Sequence, residues 1–278
     1  MPELVEVELS RRWLQARSAG RVVVRVEALD PGLDLLPLTG ARLGDWWRHG
    51  KQLGVPFTPP APWPQHPRAA ELGERPQLLA HLGMTGRWAL ATAVERHARL
   101  RLALDDGATL SFIDPRRFGE ARLGSASNAE ALRARLGPDA WDLPPDGPAL
   151  SRAFGRSRVP LHHALMDQRR LAGLGNIAAA EVAYRAGVDP ARPGDTLTVG
   201  EWARVARAIA DHLAFVFDAE SGEEVVYLTA GGANPFLVYG RAVCPGCSTA
   251  LVRRVARGRS ITLCPALCRA PEPRVASA

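Results

Sequence analysis

All four cysteines fall in the last 35 residues, as Cys244-Pro-Gly-Cys247 and, sixteen residues on, Cys264-Pro-Ala-Leu-Cys268. Two close pairs joined by a hairpin-length segment bring four thiolates to one point, the tetrahedral cage that a structural zinc ion needs. The second pair is C-x3-C, still within the spacing such sites use. The same pattern in a secreted chain would read as two disulfides. Here the first residues, Pro2-Glu3-Leu4-Val5-Glu6, are acidic and hold no apolar signal core. A reduced, cytosolic setting is therefore expected, and there thiols hold metal rather than each other.

Charge sharpens the picture. From Arg241 onward the chain carries Arg241, Arg253, Arg254, Arg257, Arg259, Arg269 and Arg274 against one acid, Glu272. That segment accounts for the whole formal net charge of +6, because residues 1–240 sum to zero. A metal-clipped hairpin that concentrates the charge excess is suited to a polyanion, most plainly nucleic acid. Lys51 is the only lysine, set among 34 arginines, which marks a position where a compact ammonium is wanted.

The 278 residues suffice for two domains with their own cores, and no apolar run reaches membrane-spanning length. Residues 3–17 alternate apolar and charged positions at helical spacing, with Leu4, Val7, Trp13 and Leu14 on one face. Strands are expected at Val22–Val26, Gln77–Leu82, Arg99–Leu104 and Thr109–Ile113, with Asp105-Asp106-Gly107 turning between the last two. The seven-proline stretch Pro56–Pro76 reads as an exposed insertion. From about residue 130 the pattern turns helical. Helices are expected at Leu161–Asp167, at Asn176–Ala186 ending on Gly187, and from the capping box Thr198-Val-Gly-Glu201 to about Asp218. The expected class is α+β, with segments 1–125, 130–232 and 236–270.

Candidate chemistry is dispersed along the chain. With the initiator methionine removed, Pro2 presents a secondary amine beside Glu3 and Glu6; such an amine is partly free base at neutral pH and can form an iminium with an aldehyde-like carbon. Many chains begin Met-Pro without using it. Leu171-Ala-Gly173-Leu-Gly175-Asn176 runs a glycine turn into a helix, which suits a phosphate but also suits an ordinary tight turn. Asp114-Pro-Arg116-Arg117-Phe118-Gly119 and His81-Leu-Gly-Met84-Thr-Gly86 follow strands. Taken singly, Met84 and Phe118 read as core side chains.

In combination, and in order along the chain, these pieces resemble the formamidopyrimidine-DNA glycosylase and endonuclease VIII family, nearer the formamidopyrimidine branch. The matching pieces are Pro2-Glu3-Leu4, Lys51, His81–Gly86, Asp114–Gly119, Gly173-Leu-Gly-Asn176, Val238-Tyr-Gly-Arg241 and the four-cysteine hairpin with Arg259. The resemblance implies an N-terminal β-sandwich opened by a helix, a helix–two-turn–helix domain and a zinc hairpin. It implies a base-excision repair enzyme, acting as a monomer in the bacterial cytosol, on double-stranded DNA that contains oxidised bases or abasic sites. Such an enzyme flips out an oxidised base, cleaves its glycosidic bond and nicks the strand by β,δ-elimination. Pro2 would be the nucleophile and Glu3 the general acid/base, with Glu6 in support. Lys51, Asn176 and Arg259 would grip phosphates, and Arg117 would add a backbone contact. Met84, Arg116 and Phe118 would enter the duplex. Cys244, Cys247, Cys264 and Cys268 would hold one structural zinc, leaving no open position for catalysis.

The chain departs from the family pattern at four places. Val5 replaces a proline, His162 stands where a lysine is common, and Ala178 stands where a tyrosine is common. The segment Ala230–Phe236 is shorter than the loop found over the base in the 8-oxoguanine branch. Two other classes are open to such a chain: a non-catalytic binder of damaged DNA, and a general zinc-dependent nucleic-acid module, which would leave the N-terminal residues unexplained.

Overall fold

The computed structural model describes residues 2–91, 96–222, 234–256 and 258–268. The chain divides into two compact units, one running to Arg135 and the other comprising Leu136–Ala219 with the C-terminal hairpin. The helical segment and the cysteine hairpin thus share a unit.

The first unit opens with α1 (Leu4–Ser18), then β1 (Val23–Ala28), β2 (Arg42–Leu43), β3 (Trp47–His49) and β4 (Gln52–Thr58). A short α2 (Ala69–Leu72) leads to β5 (Gln77–His81), β6 (Arg87–Leu90), β7 (Ala98–Leu104), β8 (Thr109–Ile113), β9 (Glu120–Gly124) and α3 (Ala126–Ala134). Strands β1-β7-β8-β6 make one antiparallel sheet; β2-β4-β5-β9, with β3 on β4, make the other. Alternation drives the sandwich. Along β7, Leu100, Leu102 and Leu104 point inward while Arg101 and Ala103 do not. These leucines share one core with Leu53, Val55 and Leu78 of the other sheet and with Val7, Trp13 and Leu14 of α1.

The expected helix, the hairpin at Asp105–Gly107 and strand Thr109–Ile113 are all present, and Gly107 takes the positive φ (87°) that the turn requires. The proline-rich stretch lies between strands as expected, but it begins later. Pro56 belongs to β4, where it pairs with Gln77. Phe57 donates its N–H to Pro76 on the β5 side, so the missing N–H of Pro56 faces the gap between β3 and β2.

The second unit holds α4 (Gly147–Phe154), α5 (Leu161–Leu165), α6 (Asn176–Ala186), α7 (Val199–Glu220) and the hairpin β10 (Val252–Ala256)–β11 (Arg259–Leu263). Helix α6 has the expected bounds, ended by Gly187 at φ 65°. Thr198 and Glu201 exchange the two hydrogen bonds of the capping box, at 2.7 and 3.2 Å. No described helix is long and apolar enough to cross a membrane.

Unforeseen was Glu181. Mid-way along α6 it has 0% of its surface exposed, and its carboxylate accepts the backbone N–H groups of Leu237, Val238 and Tyr239 at 2.9, 2.8 and 2.9 Å. Glu181→Ala leaves three backbone donors unpaired, that of Val238 buried and those of Leu237 and Tyr239 partly so, and should cost about 2 kcal/mol or more in chemical denaturation, with Glu181→Gln intermediate. A loss below about 1 kcal/mol would show that the carboxylate does not hold this segment.

Candidate nucleic-acid site

Two clusters, one in each unit, gather the residues that the sequence singled out. The first lies at one end of the five-stranded sheet. Register pairs Gln52 with His81 and His81 with Glu120, so three connections emerge side by side. These are the Gly50-Lys51 turn before β4, the loop 82–86 after β5 and the loop 114–119 before β9. His81 is held below its ordinary value, first by burial and then by the Lys51 charge, with Glu120 opposing.

The two longer loops are bound to each other. Asp114, 1% exposed, accepts from the Thr85 hydroxyl at 2.5 Å and from the Gly119 N–H at 2.6 Å. Gly83, at φ 63°, packs backbone to backbone on the second loop, and a Cβ there would lie 2.5 Å from the Gly119 nitrogen. Arg99 donates to the Gly119 carbonyl and pairs with Asp30, both at 2.6 Å. Arg117, the expected phosphate contact, pairs with the same Asp30 at 2.9 Å and remains largely exposed.

This frame corrects one expectation. Met84 and Phe118 are not core side chains: they are 37% and 54% exposed. Arg116 is exposed too, its guanidinium 4.9 Å over the Phe118 ring. The loops are pinned from beneath by Asp114, so their tips project, and apolar tips beside an arginine can penetrate a base stack.

The start of α1 completes the first unit's set. Pro2, Glu3 and Glu6 are buried, and Glu3 and Glu6 form a reciprocal capping box, with Glu3 N–H donating to Glu6 Oε2 at 3.0 Å. One turn on, Glu8 binds Arg11, Arg12 and the buried Arg48 at 2.8, 2.8 and 3.0 Å. Burial works against that carboxylate, but the three guanidiniums prevail and bring it down to about 2. Arg48 also donates to the Gly50 carbonyl at 3.1 Å, so the bridge links α1 to the turn that carries Lys51. Neither Glu8 nor Arg48 stood out in the sequence. A charged pair 40 residues apart carries no local signal.

In the second unit, Asn176 is the first residue of α6 and its side-chain oxygen is buried without a hydrogen-bond partner among the described residues. Gln168 shapes the glycine turn, accepting from the Gly173 N–H at 2.9 Å and donating to the Leu174 carbonyl at 2.7 Å. His162 on α5 is buried, with both ring nitrogens unpartnered among the described residues. Burial first, then the charge of His163 and that of Arg259, drive it down to about 4, with the Asn176 backbone carbonyl nearby opposing the shift. Arg259 opens β11, exposed as are Arg253 and Arg254. Ala178 is buried in α6. Of the short segment Ala230–Phe236, residues 230–233 lie outside the described residues, as do Met1, Arg257, Arg269, Glu272 and Arg274.

The sulfurs of Cys244, Cys247 and Cys264 lie within 4.8 Å of one another, Cys247 and Cys264 at 3.4 Å. Metal–sulfur bonds of about 2.3 Å in a tetrahedron need sulfurs about 3.8 Å apart, so the donors fit. Cys268 falls outside that trio but is buried in the same small core with Cys244, Cys264 and Leu263.

A family profile described as the formamidopyrimidine-DNA glycosylase N-terminal domain matches residues 1–121, and one described as the formamidopyrimidine-DNA glycosylase H2TH domain matches residues 136–223. A formamidopyrimidine-DNA glycosylase of Paracoccus denitrificans is 36% identical, covering 97% of this chain and 100% of its own. The crystal structure of MutM (Fpg) from Thermus thermophilus superposes with a TM-score of 0.75 at 32% identity, covering 96% of this chain and 98% of that one. The Lactococcus lactis Fpg bound to DNA containing N7-benzyl-Fapy-dG superposes at 0.80 with 25% identity, covering 97% and 100%. The same protein with oxidised-pyrimidine DNA gives equal values.

Glu6 supplies a test of the buried acid pair. Burial first, then the Glu3 charge, raise it from the ordinary 4.5 to about 7. A carboxyl raised in the fold favours folding while protonated; that contribution is whole below about 4.5 and is lost as pH rises through about 7. Glu6→Gln should therefore flatten the fall in Tm across this window. Wild-type and variant curves that run parallel would show that Glu6 does not titrate there.

Proposed function

The chain belongs to the formamidopyrimidine-DNA glycosylase family, and from that premise we propose that it excises oxidised bases from duplex DNA and then nicks the strand at the abasic site. It is a base-excision repair DNA glycosylase with lyase activity, and its partner is DNA bearing oxidised bases or abasic sites. The observation that carries the detailed reading is the buried Pro2-Glu3-Glu6 start of α1, tied through Glu8 and Arg48 to the turn of Lys51.

With Met1 removed, the Pro2 nitrogen attacks the sugar C1′, forming a carbon–nitrogen bond as the glycosidic bond breaks and the base leaves. Glu3 exchanges protons at the sugar as general acid/base. The nitrogen gives up its proton, Glu3 protonates the ring O4′, and the C1′–O4′ bond breaks as the nitrogen lone pair forms an iminium, a positively charged electron sink. Loss of a proton from C2′ then expels the 3′ phosphate, and a second elimination expels the 5′ phosphate. Glu6, near neutrality in its affinity for a proton, supports Glu3.

Lys51, Asn176 and Arg259 bind phosphates, each supported by its setting: a turn tip, a helix N-terminus and an exposed hairpin. Met84, Arg116 and Phe118 fill the space that the flipped nucleotide vacates, Arg116 facing the orphaned base. Where the family often has a lysine, a neutral His162 offers no cation at pH 7, which favours a different base preference. Cys244, Cys247, Cys264 and Cys268 hold one structural zinc ion, which supplies folding energy to the hairpin and no chemistry. We infer three functional segments, 1–125, 130–232 and 236–270, in a monomer of the bacterial cytosol.

Borohydride trapping on duplexes with 8-oxoguanine, an oxidised pyrimidine or an abasic site tests the reading. Protein verified to begin at Pro2 should give a covalent adduct that Pro2→Gly loses while DNA binding persists. No adduct on any duplex would leave a non-catalytic binder. Arg259→Ala should weaken binding across sequences and lower the salt slope by about one. An unchanged slope would remove Arg259 from the phosphate contacts.

A further inference from the structure

Helix α6 reaches the cysteine cluster through one side chain. Tyr184, on its last turn, brings its hydroxyl to 3.3 Å from the Cys244 Sγ. The ring packs on the small core of Cys244, Leu263, Cys264 and Cys268. The approach needs the glycine of Cys244-Pro-Gly-Cys247, because a Cβ on Gly246 would stand 3.0 Å from the Tyr184 oxygen. A metal-bound thiolate can only accept a hydrogen bond, so at that separation the phenol is the donor.

The neighbouring sulfurs are supported differently. Cys247 meets the Thr249 hydroxyl within its own knuckle, at 3.3 Å. Backbone N–H groups of Gly246 and Cys247 face Cys244, and those of Leu267 and Ala266 face Cys264. Among these described contacts, only the Tyr184 hydroxyl comes from outside the hairpin. It lies one turn beyond Glu181, which holds Leu237–Tyr239 to the same helix.

We propose that Tyr184 is the positioning residue of the metal site: its hydroxyl donates to the Cys244 thiolate and thereby binds the hairpin that carries Arg259 to the helix that begins at Asn176. The proposal rests on the reading of the cysteines as a zinc site. Outer-shell donors orient metal ligands and set the charge density on them, and losing one typically weakens metal binding 10–100-fold. The Tyr184→Phe change removes the hydroxyl and keeps the ring.

The test uses the full chain, freed of metal and titrated with cobalt(II) and then zinc(II) against a chromophoric chelator. Wild type should take up one cobalt per chain with the absorption of a tetrahedral thiolate site. Tyr184→Phe should also take up one ion, about tenfold or more weakly. Its sulfur-to-cobalt charge-transfer band should move to lower energy, because an unbonded thiolate is more electron-rich. Packing alone would not move that band. If wild type shows no thiolate–cobalt absorption, the metal reading fails and the proposal falls with it. If wild type shows it and the variant matches it in affinity and band position, the metal reading stands and Tyr184 is not a donor.

Discussion

A carboxylate removed from water stays charged only if the protein returns the hydrogen bonds that water gave it, and this chain uses that constraint as its fastening. Glu181 collects three consecutive backbone N–H groups; Asp114 collects a hydroxyl, a backbone N–H and the nearby Arg99; Glu8 collects three guanidiniums. Each fastens a segment that carries candidate site residues. Glu8 reaches the Lys51 turn through Arg48, Asp114 sets the loops of Met84 and Phe118, and Glu181 anchors the chain entering the cysteine hairpin. Leaving any one unpaired carries the full desolvation penalty, so these segments have little freedom to drift.

That arrangement explains what the sequence could and could not tell. Local patterns yielded α1, the β7–β8 hairpin, α6 with its glycine stop and the capping box of α7, because each is encoded by spacing within a few residues. Strands β2, β3, β4, β6 and β9 passed unnoticed: β2 and β3 are two and three residues long, and β4 runs into the proline-rich stretch that read as an insertion. Met84 and Phe118 are the instructive pair. Hydrophobicity alone sends them to the core, whereas Asp114 and the glycine contact at Gly83 hold their loops so that they face solvent. Only the ordered set of motifs around them pointed the other way.

The buried acids near Pro2 play a different part. Glu3 and Glu6 are buried side by side in a capping box, whereas Glu8, one turn along, binds three arginines. The same helix therefore holds one carboxyl at about 7 and another at about 2. Two charged carboxylates this close would repel, and a proton held by Glu6 near neutrality relieves that repulsion. His162 follows the same logic with opposite sign, since burial and neighbouring positive charge keep its ring neutral.

The placement of charge on the hairpin has a further physical consequence. The two five-residue strands pair with each other, with Val255 exposed and arginines on their faces, and among their described residues only Ile261 and Leu263 of β11 are buried. Such a ribbon needs an external clamp. The cysteine cluster provides one at its base, and the Tyr184 contact and the Arg254–Asp189 pair at 4.0 Å join it to the helical unit. The hairpin thus displays Arg253, Arg254 and Arg259 on a short ribbon, beside a cluster of cysteines that could hold a metal ion. An arginine held on a paired strand loses less conformational freedom on binding any anion than one on a free basic tail does.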